Sequence, residues 1–286
     1  MRAARRSGSC ALASSSRKSP VARIAVAATA PFGADVLERL AARHDVSVLL
    51  TRPDAPAGRG RRLAAPPARV VAERLDIPVL QPERPEAELD LGAPTVVVCA
   101  YGLLVPEELL AERAWLNVHP SLLPRWRGAA PVERAIMAGD ADTGVTIHET
   151  VAELDAGPIA AQEAFPIGPD DDAGLVYGRS AEVAARLLDG VLADPAPHFA
   201  PQAGEPTYAE KIRSTDRQLD LERPAEGLVR VVRALSPHIG ARAVLEGRPV
   251  TVWRARVADD GSFEPVEVQP DGGRRMNAEA WRRGLR

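Results

Sequence analysis

The chain has 286 residues, 45% of them hydrophobic and 26% charged, with a formal net charge of −3. That length has room for one large unit and a small one, and the composition is that of a globular protein rather than a collagenous or disulfide-stapled one. No run of about eighteen apolar residues occurs, so no membrane span is expected. Cys10 and Cys99 are the only cysteines, too few for a disulfide framework or a zinc site, and a reducing, cytoplasmic setting is expected.

The charge is uneven. Residues 1–20 hold Arg2, Arg5, Arg6, Arg17 and Lys18 and no acid. Their Arg-, Ser- and Ala-rich composition matches a transit peptide or a disordered extension. With no amphipathic apolar face, the extension is the reading taken. Residues 207–286 carry 15 Lys and Arg against 12 Asp and Glu, which leaves an acidic stretch between. That split suits a nucleic-acid partner on the C-terminal side.

Regular structure begins with the apolar strand Arg23 to Ala28. A loop with Thr29 and Pro31 follows, then helical spacing through Val36, Leu37 and Leu40, then a strand over Val46 to Leu50. Strand, helix, strand implies a βαβ unit and a parallel sheet with right-handed crossovers. Further strands are predicted at Pro78 to Leu80, Thr95 to Cys99, Leu116 to Val118 and Gly144 to His148. Helices are predicted over Ala65 to Leu75, Ala129 to Met137 and Leu175 to Leu192. Residues 21–193 therefore read as an α/β unit, a Rossmann-like open and mostly parallel sheet. Residues 194–206 are a Pro-rich, extended linker. Beyond it, a helix near Glu226 to Leu235 and strands at Ala241 to Leu245 and Val250 to Val257, joined by a turn at 246–249, form a small, mostly β unit over 207–286.

The chemistry concentrates in Asn117-Val118-His119-Pro120-Ser121-Leu122-Leu123-Pro124. Residues i and i+2 of a strand point to the same face, so the Asn117 amide and the His119 imidazole reach one point in space. Asp155, next to the turn glycine Gly157, is placed to complete the group. An amide donor, an imidazole and a carboxylate together suit acyl transfer, because they can hold an oxyanion and move a proton. The bland reading is a polar strand end satisfied by backbone and solvent. A second informative stretch is 52–62, with Arg52, Arg59, Arg61 and Arg62 around Gly58 and Gly60. It reads as a flexible anion-binding loop suited to a phosphate backbone, or else as a solvated charged loop. His44, His148, His198 and His238 lack metal-ligand spacing and read as structural or solvated. Asp170 to Asp172 reads as a solvated loop.

The string from Asn117 through Pro124 to Arg127, Gly128 and Pro131, followed by Thr143 to Thr146 and Leu154 to Ile159, resembles the folate-dependent formyltransferases. Within that superfamily the likeness is strongest to the methionyl-tRNA formyltransferases, over about Arg23 to Val257. The resemblance implies that Asn117, His119 and Asp155 are the catalytic triad. It implies that 10-formyltetrahydrofolate is the co-substrate, that no metal is required, and that Ser121, Leu122, Leu123 and Pro124 lie against the folate with Tyr101 and Gly102. Arg52, Arg59, Arg61 and Arg62 would meet the acceptor stem of initiator Met-tRNA. Thr207 to Ile212, with Lys211, would open a C-terminal tRNA-binding unit, an open β-barrel like an oligonucleotide-binding fold. A monomer is expected. One competing reading is a formyltransferase for an amino-sugar nucleotide, with the same triad and little use of the arginines. Another is a non-catalytic RNA-binding module. A dinucleotide dehydrogenase is disfavoured, since no Gly-x-Gly-x-x-Gly follows the first strand.

Overall fold

The computed structural model describes residues 22–57, 60, 62–86 and 89–285. The expected extension over 1–20, and Arg59 and Arg61, lie outside the described residues. In chain order, the first elements are β1 (Arg23–Ala28), α1 (Pro31–Ala41), β2 (Asp45–Leu50), β3 (Ala55–Ala57), β4 (Arg62–Ala64), α2 (Pro67–Arg74) and β5 (Val79–Leu80). There follow β6 (Thr95–Cys99), α3 (Glu107–Glu112), β7 (Ala114–His119), β8 (Arg127–Gly128), α4 (Pro131–Ala138), β9 (Asp142–Glu149), β10 (Ile159–Pro166) and α5 (Ala173–Ala193). The last elements are β11 (Tyr208–Ala209), α6 (Ala225–Leu235), β12 (Ala241–Leu245), β13 (Arg248–Val257), β14 (Phe263–Pro270), β15 (Met276–Asn277) and α7 (Ala278–Arg283).

Seven strands form the main sheet in the order β10-β9-β7-β6-β1-β2-β5. The run from β7 to β5 is parallel; β9 and β10 add two antiparallel strands at one edge. Both faces are covered, and strand alternation sorts the side chains between them. Ile24, Val26 and Ala28 enter the core beneath α1, α2, α4 and α5, whereas Ala25 and Ala27 enter the opposite core with Leu109 of α3. Leu116 and Val118 of β7 go to the first core and Trp115 to the second. Asn117 and His119 therefore share the Trp115 face.

Two helices begin later than their hydrophobic spacing implies. α2 opens at Pro67 rather than Ala65, and α4 at Pro131 rather than Ala129. Proline suits a first helical turn, where no N–H is needed, and steers the residue before it away from helical backbone. The basic stretch after β2 also differs from a plain flexible loop: Ala55, Pro56 and Ala57 pair with Ala64, Leu63 and Arg62 as a short ribbon.

The C-terminal strands make a four-stranded antiparallel sheet in the order β12-β13-β14-β15. Val232 and Leu235 of α6 and Trp281 of α7 pack with Ala243, Val250, Val252 and Val268 of that sheet in a core of their own. α6 also reaches the main unit, since Ala234 belongs to the first core and Met137 of α4 packs against both. Among the described residues, no helix is long and apolar enough to cross a membrane.

Candidate active site

The C-terminal end of β7 is where the sheet changes from parallel to antiparallel. Asn117 faces Val98 of β6 on one side and His148 of β9 on the other. Between β1 and β6 the strand order reverses, leaving the crevice at the strand ends where open α/β sheets hold ligands. Thr29 ties three of these ends together. Its hydroxyl donates to the Tyr101 carbonyl at 2.7 Å, lies 3.3 Å from the Thr51 hydroxyl, and accepts the Arg52 N–H at 3.4 Å.

The structure brings Asn117, His119 and Asp155 together. Asn117 Nδ2 donates to Asp155 Oδ1 at 3.1 Å, and His119 Nδ1 lies 3.6 Å from Asp155 Oδ2. Asp155 Oδ2 also accepts the Gly128 N–H at 2.8 Å. His119 is only 5% exposed. Its Nε2 is 2.8 Å from the Trp126 carbonyl, which can only accept, so Nε2 carries a proton. The Nε2–H of His119 is thus engaged by the backbone, and Nδ1 faces Asp155.

His148 is a member of the site that sequence reasoning set aside as structural or solvated. Its Nδ1 is 2.8 Å from the Glu149 carbonyl and therefore donates, which leaves Nε2 as the acceptor of the second Asn117 N–H at 3.1 Å. Burial pushes its pKa down to about 4, the His119 and Arg127 charges act in the same direction, and the Glu149 carbonyl and Asp155 oppose them. The ring is neutral at neutral pH, the only state in which it accepts from Asn117. The sequence places His148 at the end of the predicted strand Gly144 to His148; it is the pairing of β9 with β7 that sets it opposite Asn117.

The loop carrying Asp155 is pinned on several sides. Asp155 itself has φ 48°, in the left-handed region. Gln202 Nε2 donates to the carbonyls of Asp155 at 2.7 Å and Gly157 at 2.9 Å. Arg127 donates to Gln202 Oε1 and, at 3.0 Å, to Glu153. A Cβ at residue 157 would run into the Glu149 carbonyl, so only glycine lets this turn close on β9. Gly144 plays a similar part, because a Cβ there would collide with Leu122.

The residues assigned to folate divide. Gly102 is exposed, Leu122 and Pro124 are half-buried, and Leu104 beside them in sequence is 88% exposed. Tyr101 and Leu123 are only 2% and 4% exposed and Ser121 is fully buried, so these three side chains belong to the interior rather than to an open wall. The Ser121 hydroxyl donates to the Arg125 carbonyl, and burial raises the Tyr101 phenol to about 12. Arg52, Arg62 and Lys211 are all exposed, with Arg52 lying over Gly102. A cleft of about 430 Å³, lined by Asp140, Arg230 and Arg233 among others, opens between α4 and α6, apart from the three site side chains.

A family described as formyl transferase matches residues 22–192, and one described as formyl transferase, C-terminal domain, matches residues 211–265. The chain is 43% identical over 250 residues to the methionyl-tRNA formyltransferase of Cereibacter sphaeroides (strain ATCC 17029 / ATH 2.4.9), covering 84% of this chain and 82% of that one. To that of Paracoccus denitrificans it is 38% identical over 295 residues, covering 92% and 97%. Among solved structures it resembles methionyl-tRNA formyltransferase from Clostridium thermocellum, with TM-score 0.61, 12% identity, and coverage of 90% and 100%. It also resembles HypX from Aquifex aeolicus in complex with tetrahydrofolic acid, with TM-score 0.63, 18% identity, and coverage of 91% of this chain and 46% of that one. At these identities the two structural likenesses bear on the fold alone.

Proposed function

We propose, for a chain that belongs to the methionyl-tRNA formyltransferases of the formyl transferase family, that it moves the formyl group of 10-formyltetrahydrofolate onto the α-amine of methionine on initiator Met-tRNA. It acts as a cytoplasmic monomer at the start of translation. The observation that carries this reading is the meeting of Asn117, His119 and Asp155, with an amide hydrogen bond of 3.1 Å and an imidazole–carboxylate approach of 3.6 Å.

Asn117 is the least buried part of the polar group on β7, so its amide is what an incoming formyl carbonyl meets first. Attack by the amine nitrogen forms the new C–N bond and turns the carbonyl oxygen into an oxyanion. Asn117 turns one of its two N–H groups from His148 to that oxygen, exchanging a neutral partner for a charged one. His119, held between the Trp126 carbonyl and Asp155, sets its charge beside the oxyanion when both ring nitrogens are protonated. With the imidazole doubly protonated, the Asp155 carboxylate is the base that takes the amine proton, and collapse breaks the bond to the folate nitrogen, which leaves with that proton. Enclosure of His119 by protein strengthens these electrostatic effects.

The residues at the strand ends fit a flat heteroaromatic donor: Gly102 and Leu104 after β6, with Leu122 and Pro124 after β7. In the proposed division, residues 21–193 perform transfer, 194–206 link, and 207–286 hold tRNA. Arg52, Arg59, Arg61, Arg62 and Lys211 supply cations for the phosphate backbone. The test is label transfer from 10-formyltetrahydrofolate to either Met-tRNA or an amino-sugar nucleotide. Transfer to Met-tRNA alone is expected. Transfer to the sugar alone would reject the reading.

A further inference from the structure

The His119 Nε2–H is received by the Trp126 carbonyl at 2.8 Å, and the residue that bears this carbonyl is held through its indole and its backbone N–H. Trp126 has φ 64°, a left-handed backbone that a bulky residue adopts only under constraint. Its indole N–H donates to Asp140 Oδ2 at 2.8 Å. The Arg125 guanidinium lies 4.4 Å from the indole centroid and grips the same carboxylate in a fork of 2.9 and 2.7 Å. The Trp126 backbone N–H donates to the Thr207 hydroxyl at 2.9 Å, across 81 positions of sequence.

Thr207 brings the rest of the chain with it. Its carbonyl accepts the Arg127 N–H at 2.8 Å, its N–H donates to the Pro124 carbonyl at 3.2 Å, and Tyr208 and Ala209 continue the pairing along β8. A few residues on, Arg134 of α4 binds the Glu210 carbonyl at 3.1 Å and Asp216 at 2.9 Å. The segment that leads into the C-terminal sheet is thus stitched to the loop whose carbonyl orients the imidazole. The same loop, through Gly128 N–H, orients Asp155.

We infer that Trp126 and Thr207 are positioning residues: Thr207 and β11 after it hold the Trp126 carbonyl where it fixes the tautomer and direction of His119, so transfer is competent only when that segment is seated on β8. This rests on the reading of His119 as a catalytic group. A ring that loses its Nε2 acceptor is free to turn, and small displacements of a reacting group cost rate rather than binding.

The experiment uses the full chain with Thr207→Val, Trp126→Phe, the conservative Thr207→Ser, and His119→Ala. Steady-state formylation of Met-tRNA is measured with imidazole ¹⁵N–¹H spectra and melting temperatures. Thr207→Val and Trp126→Phe are expected to lower kcat by up to about a hundredfold. KM for both substrates stays unchanged, the hydrogen-bonded His119 Nε2–H signal is lost, and Thr207→Ser restores both rate and signal. Unchanged kcat and signal in folded Thr207→Val and Trp126→Phe, beside an inactive His119→Ala, would overturn the inference alone. So would a change confined to KM. An active His119→Ala would overturn the catalytic reading and this inference with it.

Discussion

Acidification tests whether the Asn117 amide is held by a neutral His148. The folded-state pKa is about 4 against 6.5 for a free imidazole, so the unfolded chain binds the proton more readily between those values. Stability is therefore complete above about pH 6.5 and is lost as pH falls toward 4. A gap of about 2.5 units at 1.36 kcal/mol each corresponds to about 3 kcal/mol in all, of which about 2 kcal/mol is lost between pH 7 and 4.5. The group is deeply buried, so solvent screening removes little of this. The matched variant is His148→Gln, whose amide oxygen accepts from Asn117 and does not titrate. Urea unfolding of both proteins at half-unit steps from pH 7.5 to 4.5 reads the contribution of His148 together with its coupling to His119 and Asp155, because the remaining titrating groups are shared. Wild type is expected to lose about 2 kcal/mol more than the variant across this range. Parallel stability curves would refute the reasoning, since they require an imidazole that charges as readily folded as unfolded.

Asp155→Asn removes the charge facing His119 and turns one of the two oxygens that accept the Asn117 and Gly128 N–H groups into a donor; turnover is expected to fall by about 10²-fold or more, with a loss of about 1–3 kcal/mol in stability, as read by single-turnover formylation and calorimetry. Gly157→Ala places a methyl against the Glu149 carbonyl; it is expected to lower both stability and kcat, and a crystal structure with an unmoved 150–158 loop would contradict this. Replacing Arg59, Arg61 and Arg62 with Ala is expected to weaken Met-tRNA use, spare folate binding and flatten the log–log salt dependence by roughly 0.7–0.9 for each phosphate no longer neutralised; identical slopes would count against tRNA binding there. Trp281→Ala empties a buried position in the C-terminal core and is expected to cost about 3–5 kcal/mol in urea unfolding.

The parallel sheet was readable because its strands are short runs of Ile, Val and Leu separated by helix-period segments. β1, β2 and β6 fall where those runs lie. β10 was not read: its sequence, Ile-Ala-Ala-Gln-Glu-Ala-Phe-Pro, is poor in β-branched residues, and it is a strand because it hydrogen-bonds along β9. α7 is six residues long and owes its start to Asn277, whose side chain accepts the N–H groups of Glu279 and Ala280. The convergence of Asn117 with His119 followed from two-residue alternation. The contribution of His148 did not, because pairing of β7 with β9 places it beside Asn117 and spacing along one strand carries no register between two. Trp126 was passed over for a related reason: its indole resembles a core aromatic, while the part that matters to His119 is a main-chain carbonyl.

The pairing of β11 with β8 also orders events during synthesis. Every strand of the main sheet lies before residue 167, so that sheet can close while the remainder of the chain is still on the ribosome. The loop from Pro124 to Ala130 gains its edge partner only when Tyr208 and Ala209 emerge. A chain that has emerged only as far as residue 195 holds every strand of the main sheet and still lacks the strand that pins the loop beside His119, so its architecture precedes that last fastening.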